Sequence, residues 1–427
     1  MTIHVVTYGE SISSVAAQYN VDPAIVRSVN GLAEDSTLVT GQTLVIRFPV
    51  QTHVVEAGES VYSIARDYGI EVLELYRNNY ILGGKSELVP GQLLVIAFDD
   101  QPLRAIGTNG YAYPYINVRQ LDSALPSLTY LTPFTYGITA EGGLVPLNDA
   151  ELLASAGFYR TAAFMHLSTL TESGQFSNER SSLLFSSEEL QENLIRNVIQ
   201  TMRRKNYYGL DIDFEYVYPE EREAYAAFVT KVRERLNGLG YPVLVALAPK
   251  TSDEQKGLLY EAHDYALLGE AANAVLLMTY EWGYTYGPPM AVAPLPQVRA
   301  VLDYAVTRIP REKIFLGVPI YGYDWVLPYE QGVTKAESLS PLQAVALAGQ
   351  YGVAIEYDET AQSPHFSYTG RSGRQHEVWF EDARSIEQKL LLVNEYGLQG
   401  IGYWSLMRPF PQNWAVLNSL YDVETLF

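Results

Sequence analysis

The chain has 427 residues, with 29 Lys and Arg against 49 Asp and Glu, a formal net charge of -20, 48% hydrophobic residues and 18% charged ones. Such a length predicts two or three domains with ample apolar material for a large core, and the acidic balance argues against nucleic acid, whose phosphates need basic patches. It also disfavours attachment to an anionic polymer through charge, so recognition of one has to use neutral contacts such as the faces of the 33 Tyr and 5 Trp.

With no cysteine, disulfides and thiolate metal sites are closed to the chain. Its first ten residues lack a cationic start followed by a continuous apolar run, so no secretory signal is read there. No run reaches membrane-spanning length, and no membrane insertion is expected.

The first hundred residues repeat. His4-Val5-Val6 matches His53-Val54-Val55, Gly9-Glu10-Ser11 matches Gly58-Glu59-Ser60, Asn30 matches Asn79, and after one inserted residue Gly41-Gln42 matches Gly91-Gln92. Each copy predicts a short strand, a helix with Ser11 or Ser60 as N-cap, and an apolar strand after Thr-Gly or Pro-Gly. Two βααβ modules over 1–48 and 51–98 follow, joined by short linkers to a third unit at 102–427. Each copy resembles a LysM module, which implies binding of N-acetylglucosamine polymers between the loop after the first strand and the loop before the second. The resemblance points to Gly9, Glu10, Ser11, Leu38 and Val39, and to Gly58, Glu59, Ser60, Leu88 and Val89. Read for local structure alone, the glycines allow turns and the serines cap helices; both readings hold together.

From about residue 103 strand and helix patterns alternate, as in an α/β barrel. The candidate strands are 105–111, 130–138, 161–167, 209–216, 243–248, 274–280, 314–321 and 400–404. A helix is signalled by a capping box of Ser186 and Glu189, an apolar face of Leu190, Leu194, Val198 and Met202, and a basic end at Arg203-Arg204-Lys205. Another runs through Val298, Leu302, Ala305 and Ile309. The span of about 324–398 is too long for a bare loop, and its strand-like runs 353–357, 364–368 and 377–380 predict a small α+β insertion between strands seven and eight.

The fourth strand carries Gly209-Leu210-Asp211-Ile212-Asp213-Phe214-Glu215. Alternation puts Asp211, Asp213 and Glu215 on one face and Leu210, Ile212 and Phe214 on the other. A lone D-x-D-x-E is commonly a solvated acidic face, but bulky apolar alternates between strong helix patterns fit a buried parallel strand. Like charges at this spacing raise at least one pKa and keep a proton available for general acid work.

This stretch resembles the D-G-x-D-x-D-x-E signature of family 18 glycoside hydrolases, at the C-terminal end of the fourth strand of a TIM (β/α)8 barrel, where reacting groups belong. The resemblance implies substrate-assisted retention: Glu215 protonates the glycosidic oxygen, Asp213 orients the substrate acetamido group that attacks the anomeric carbon, Asp211 modulates Asp213, and Tyr280 bonds the acetamido oxygen. Met278-Thr279-Tyr280-Glu281-Trp282 resembles the family's M-x-Y-D with Glu281 for Asp, and Tyr321 and Trp404 resemble its sugar contacts on strands seven and eight. No metal or other cofactor enters this chemistry. Two departures stand out: Tyr208 replaces the first Asp, and Met165-His166-Leu167-Ser168-Thr169 replaces S-x-G-G, with His166 read as a core histidine rather than a polar group of the site.

Two such modules before such a barrel resemble the spore germination N-acetylglucosaminidases of endospore-forming bacteria, which act on cortex peptidoglycan fragments. The implied partner is peptidoglycan and the implied place the spore, reached without a secretory signal. A chitinase holding its polymer by the LysM pair, and a non-catalytic glycan-binding coat protein, are the alternatives.

Overall fold

The computed structural model describes residues 1–83 and 87–426; residues 84–86 of the second expected module and residue 427 lie outside the described residues. In the first repeat Thr2–Val5 pairs antiparallel with Thr43–Ile46, and helices Ile12–Tyr19 and Pro23–Asn30 lie between them. In the second, Pro49–Val54 pairs with Leu93–Phe98 around helices Val61–Tyr68 and Val72–Asn78.

Both helix starts follow the sequence reading. The Ser11 hydroxyl accepts from the Ser14 N–H at 3.1 Å while the Ser14 hydroxyl accepts from the Ser11 N–H, and Ser60 and Ser63 repeat the exchange. The matched asparagines also have a structural role. Each is buried, donates to a carbonyl of its own helix and to a carbonyl of the last strand, and accepts that strand's N–H, at Val45 for Asn30 and at Val95 for Asn79. Three bonds satisfy a buried amide and lock helix to strand.

Eight parallel strands form the barrel: β1 Arg104–Ala112, β2 Tyr130–Pro133, β3 Ala162–Ser168, β4 Gly209–Asp213, β5 Val243–Leu247, β6 Ala274–Leu277, β7 Ile314–Pro319 and β8 Gly400–Trp404. They pair in chain order, and β8 returns to β1 with Gly400 opposite Gly107, which closes the sheet. The expected TIM (β/α)8 barrel is thus met.

Most of these strands stop short of their expected ends because the chain leaves its neighbours to build the rim. The expected second strand breaks after Pro133, and Gly137–Ile138 forms a hairpin with Leu144–Val145 instead. The long helix spans Glu188–Lys205, and its cap is Ser187, one residue later than expected; Ser186 ends the preceding helix Asn178–Phe185. With Ser186 and Ser187 adjacent before Glu188 and Glu189, the sequence pattern leaves the start open by one residue.

After β7 the chain builds a five-stranded antiparallel sheet from Gly322–Val326, Glu337–Leu339, Glu356–Asp358, Ser363–Thr369 and Gln375–Trp379, backed by helix Pro341–Tyr351. Ala344, Ala348, Ile355, Phe366, Tyr368, Val378 and Phe380 give it a core of its own. Helix Ala383–Glu395, also within the expected span, instead joins the main core beside β8. Among the described residues no helix is long and apolar enough to cross a membrane.

Barrel closure is tightly packed. A methyl group on Gly400 would overlap the carbonyl oxygen of Gly107 on the facing strand and press on the Phe315 ring. Gly400→Ala is therefore expected to cost about 1–3 kcal/mol, the scale of overpacking. Thermal unfolding checks this, and an unchanged melting temperature would mean that β8 can slide away from β1.

Candidate active site

Three carboxylates leave the end of β4 in succession. Asp211 is fully buried and Asp213 nearly so, while Glu215 lies two residues beyond the strand at the mouth of a cleft of about 570 Å³. On the opposite face Phe214 stacks against Tyr225 at 5.7 Å and Phe228 at 5.9 Å. His263 fixes the turn: its Nδ1 accepts from the Ala248 N–H at 2.9 Å, so Nε2 carries the proton and donates to the Phe214 carbonyl at 3.1 Å. Burial lowers His263 to about 4, which keeps it neutral in this role.

The electrostatics add a larger cause to the expected repulsion between like charges. Glu215 is raised to about 8, but burial is the largest cause; the charges of Asp213 and Glu281 come after it. Asp211 is raised to about 7, again chiefly by burial, against the pull of His166 and of the Tyr111 hydroxyl, which donates to its Oδ2 at 2.7 Å. Desolvation, with like-charge repulsion second to it at Glu215, keeps the proton available.

Tyr280 is buried beside these acids and lines the cleft with Tyr111, Tyr216, Tyr260, Met278, Trp282 and Trp404. Trp404 packs among Tyr111, Tyr113 and Phe134 at 5.1–6.2 Å between ring centres. Glu281 faces the cleft from a left-handed backbone position, φ 67°, and accepts from the hydroxyls of Tyr321 and Tyr323. Its pKa is raised, burial outweighing those two bonds. Tyr321 stands behind Glu281 and holds it, and is not part of the cleft wall.

His166 departs from its reading as a plain core residue. It is fully buried, but Nε2 lies 3.5 Å from Asp213 Oδ2 and Nδ1 is 2.6 Å from the Thr135 hydroxyl. The register places His166 opposite Asp211 on the adjacent strand, so its ring shares the barrel interior with the acids. Position on alternate faces of β3 was the available signal; the lost family motif masked it. Tyr111 was missed for a different reason, since nothing in a β1 sequence says which acid its hydroxyl meets. Tyr208, where the family has Asp, fills the barrel floor against Tyr130 and Phe164.

The module residues lie apart from the cleft lining. Gly9 and Gly58 adopt φ 85° and 90°, as their turns require. Glu10 accepts from the Thr7 N–H at 2.6 Å and meets His4 at 3.0 Å, and Glu59 does the same with Glu56 and His53, so both acids brace their loops. Ser11 and Ser60 are committed as caps. Leu38 and Leu88 are partly buried in the core; Val89 is exposed, whereas Val39 packs on the insertion.

Residues 164–408 match the model of glycosyl hydrolases family 18, and residues 4–47 and 53–97 each match the LysM domain. The chain is 39% identical over 431 residues to a cortical fragment-lytic enzyme of Bacillus subtilis, covering 99% of both. It superposes on the crystal structure of the Bacillus cereus spore cortex-lytic enzyme SleL with a TM-score of 0.84 at 38% identity, covering 99% of this chain and 98% of that one. A chitinase of Chromobacterium violaceum is more distant, at 26% identity and a TM-score of 0.69 over 74% of this chain and 98% of its own. With buried acids at the end of β4, a closed eightfold barrel and this likeness over its length, the chain belongs to the glycosyl hydrolases of family 18, among the cortical fragment-lytic enzymes with paired LysM domains.

Proposed function

We propose that this glycosidase cleaves the β-1,4 bond after N-acetylglucosamine in bacterial peptidoglycan, acting at the spore on cortex fragments, with the LysM region holding glycan and 102–427 cutting it. The observation that carries the chemistry is Glu215, a carboxyl that stays protonated through neutral pH in a cleft walled by tyrosine and tryptophan. The substrate class rests on likeness over 99% of the chain to a cortical fragment-lytic enzyme.

In this reading Glu215 gives its proton to the glycosidic oxygen as the bond to the anomeric carbon breaks. The acetamido carbonyl oxygen of the same sugar forms the new bond to that carbon, giving an oxazolinium ion. Asp213 accepts the acetamido N–H and Tyr280 donates to the carbonyl oxygen, which holds the nucleophile in place. Glu215, now a carboxylate, takes a proton from the water that opens the ring. His166 stands 3.5 Å behind Asp213, and Asp211, neutralised by burial to about pH 7, limits the negative charge around it. Glu281, bound by two tyrosine hydroxyls, is left to meet a sugar hydroxyl.

Glu215→Gln is expected to lower kcat on muropeptides by about a hundredfold or more, the scale of general acid catalysis. Mass spectrometry of products from pre-cleaved cortex peptidoglycan and from chitin oligomers reads both rate and specificity. New reducing ends at N-acetylglucosamine, mainly from muropeptides, support the proposal; preferential cleavage of chitin oligomers moves the enzyme to the chitinases.

The pH profile has a definite sign. The protonated acid is the working form and its pKa is raised, so kcat/KM should hold through neutral pH and fall about tenfold per unit once the pH passes about 8. A profile already declining between about pH 5 and 7 would place the acid elsewhere.

A further inference from the structure

The two repeats share one loop design but not one environment. In each, the loop before the last strand closes with the same bonds: Gly41 and Gly91 donate to Val6 and Val55 at 2.8 Å, and the Gln42 and Gln92 side chains accept from the Val39 and Val89 N–H groups at 3.1 and 3.3 Å. In the second repeat no described residue lies within 4 Å of the Cβ position of Gly91 or Gly58, and Val89 is 68% exposed. In the first repeat the same loop is covered.

The cover is the chain's own catalytic unit. The Ile355 N–H donates to the Thr40 carbonyl at 2.9 Å, a methyl group on Gly41 would overlap the Ile355 carbonyl oxygen, and Val39 packs with the insertion core beside Gly349. Behind the loop, Gln412 from helix Pro411–Leu420 donates to the Thr43 carbonyl at 2.6 Å and to Asn30 Oδ1 at 2.9 Å, and accepts from the Thr43 hydroxyl at 3.1 Å, all buried. The second repeat meets the barrel through its other face, with Arg77 donating to the Pro126 carbonyl and Tyr76 edge-on to Tyr159.

We propose that the repeats have divided their work: the second alone grips the glycan strand, while the first has surrendered its second loop to the barrel and serves as a bracket that fixes the insertion. The proposal rests on the LysM reading that sugar lies between the two loops of a module, and gives that site to one copy. A β-1,4-linked N-acetylglucosamine chain needs both loops free, and among the described residues the 56–60 and 88–91 pair offers them.

The full-length protein tests this by co-sedimentation with insoluble cortex peptidoglycan and with chitin. Ala57→Glu and Val89→Glu place a charge in the open groove of the second repeat; Tyr8→Glu does so at the matching loop of the first, where Tyr8 is 94% exposed. Melting temperatures establish that each variant is folded. Ala57→Glu and Val89→Glu are expected to weaken binding about tenfold or more, and Tyr8→Glu less than about twofold, a tenfold change being about 1.4 kcal/mol. Gln412→Ala is expected to lower the melting temperature with glycan affinity retained. Equal losses from Tyr8→Glu and Ala57→Glu overturn the division of labour and leave glycan binding by the pair intact. Failure of the wild type to bind either polymer removes the LysM reading and this inference with it.

Discussion

Keeping carboxylates out of water at the end of one strand is the constraint on which the site depends. Burial is the largest cause of the raised pKa of both Asp211 and Glu215, ahead of any neighbouring charge. Oδ1 of Asp211 and Oδ1 of Asp213 are buried without a hydrogen bond among the described residues, so a second negative charge there would be poorly compensated. That cost has to be offset by rigid surroundings. The Phe214, Tyr225 and Phe228 stack, the neutral His263 tied to the strand end, and the Tyr111 hydroxyl on Asp211 supply them.

The alternation Asp211, Asp213, Glu215 was legible because a strand has a period of two, and barrel topology followed from eight apolar runs alternating with helix patterns. The module repeat was legible down to its caps, since Ser11 and Ser60 act within three residues of themselves. What sequence could not show is what meets across the barrel. His166 belongs to the acids through register between β3 and β4, and Tyr321 serves Glu281 through a hydrogen bond spanning forty positions of sequence. The Ser186 cap failed for a local reason, adjacent serines competing for one helix start, and the equivalence of Val39 and Val89 failed for a distant one, because matching loops meet different neighbours.

The net charge of -20 sharpens the question of how such a chain stays on a wall polymer that carries acidic groups of its own. Long-range attraction is unavailable, so attachment has to come from short-range contacts with neutral sugar, and a wall-bound module then raises the local concentration of glycan at the cleft. That gain depends on geometry, since a tether that swings freely loses most of it. Here the first repeat is hydrogen-bonded to Ile355, at the edge of the insertion sheet. Strand by strand the same sheet runs through Glu356–Asp358, Ser363–Thr369 and Gln375–Trp379 to Gly322–Val326, where Tyr323 holds Glu281 in the cleft. One continuous sheet therefore runs from the contact with the first repeat to a cleft carboxylate, and the sheet beside that repeat is the sheet that positions Glu281.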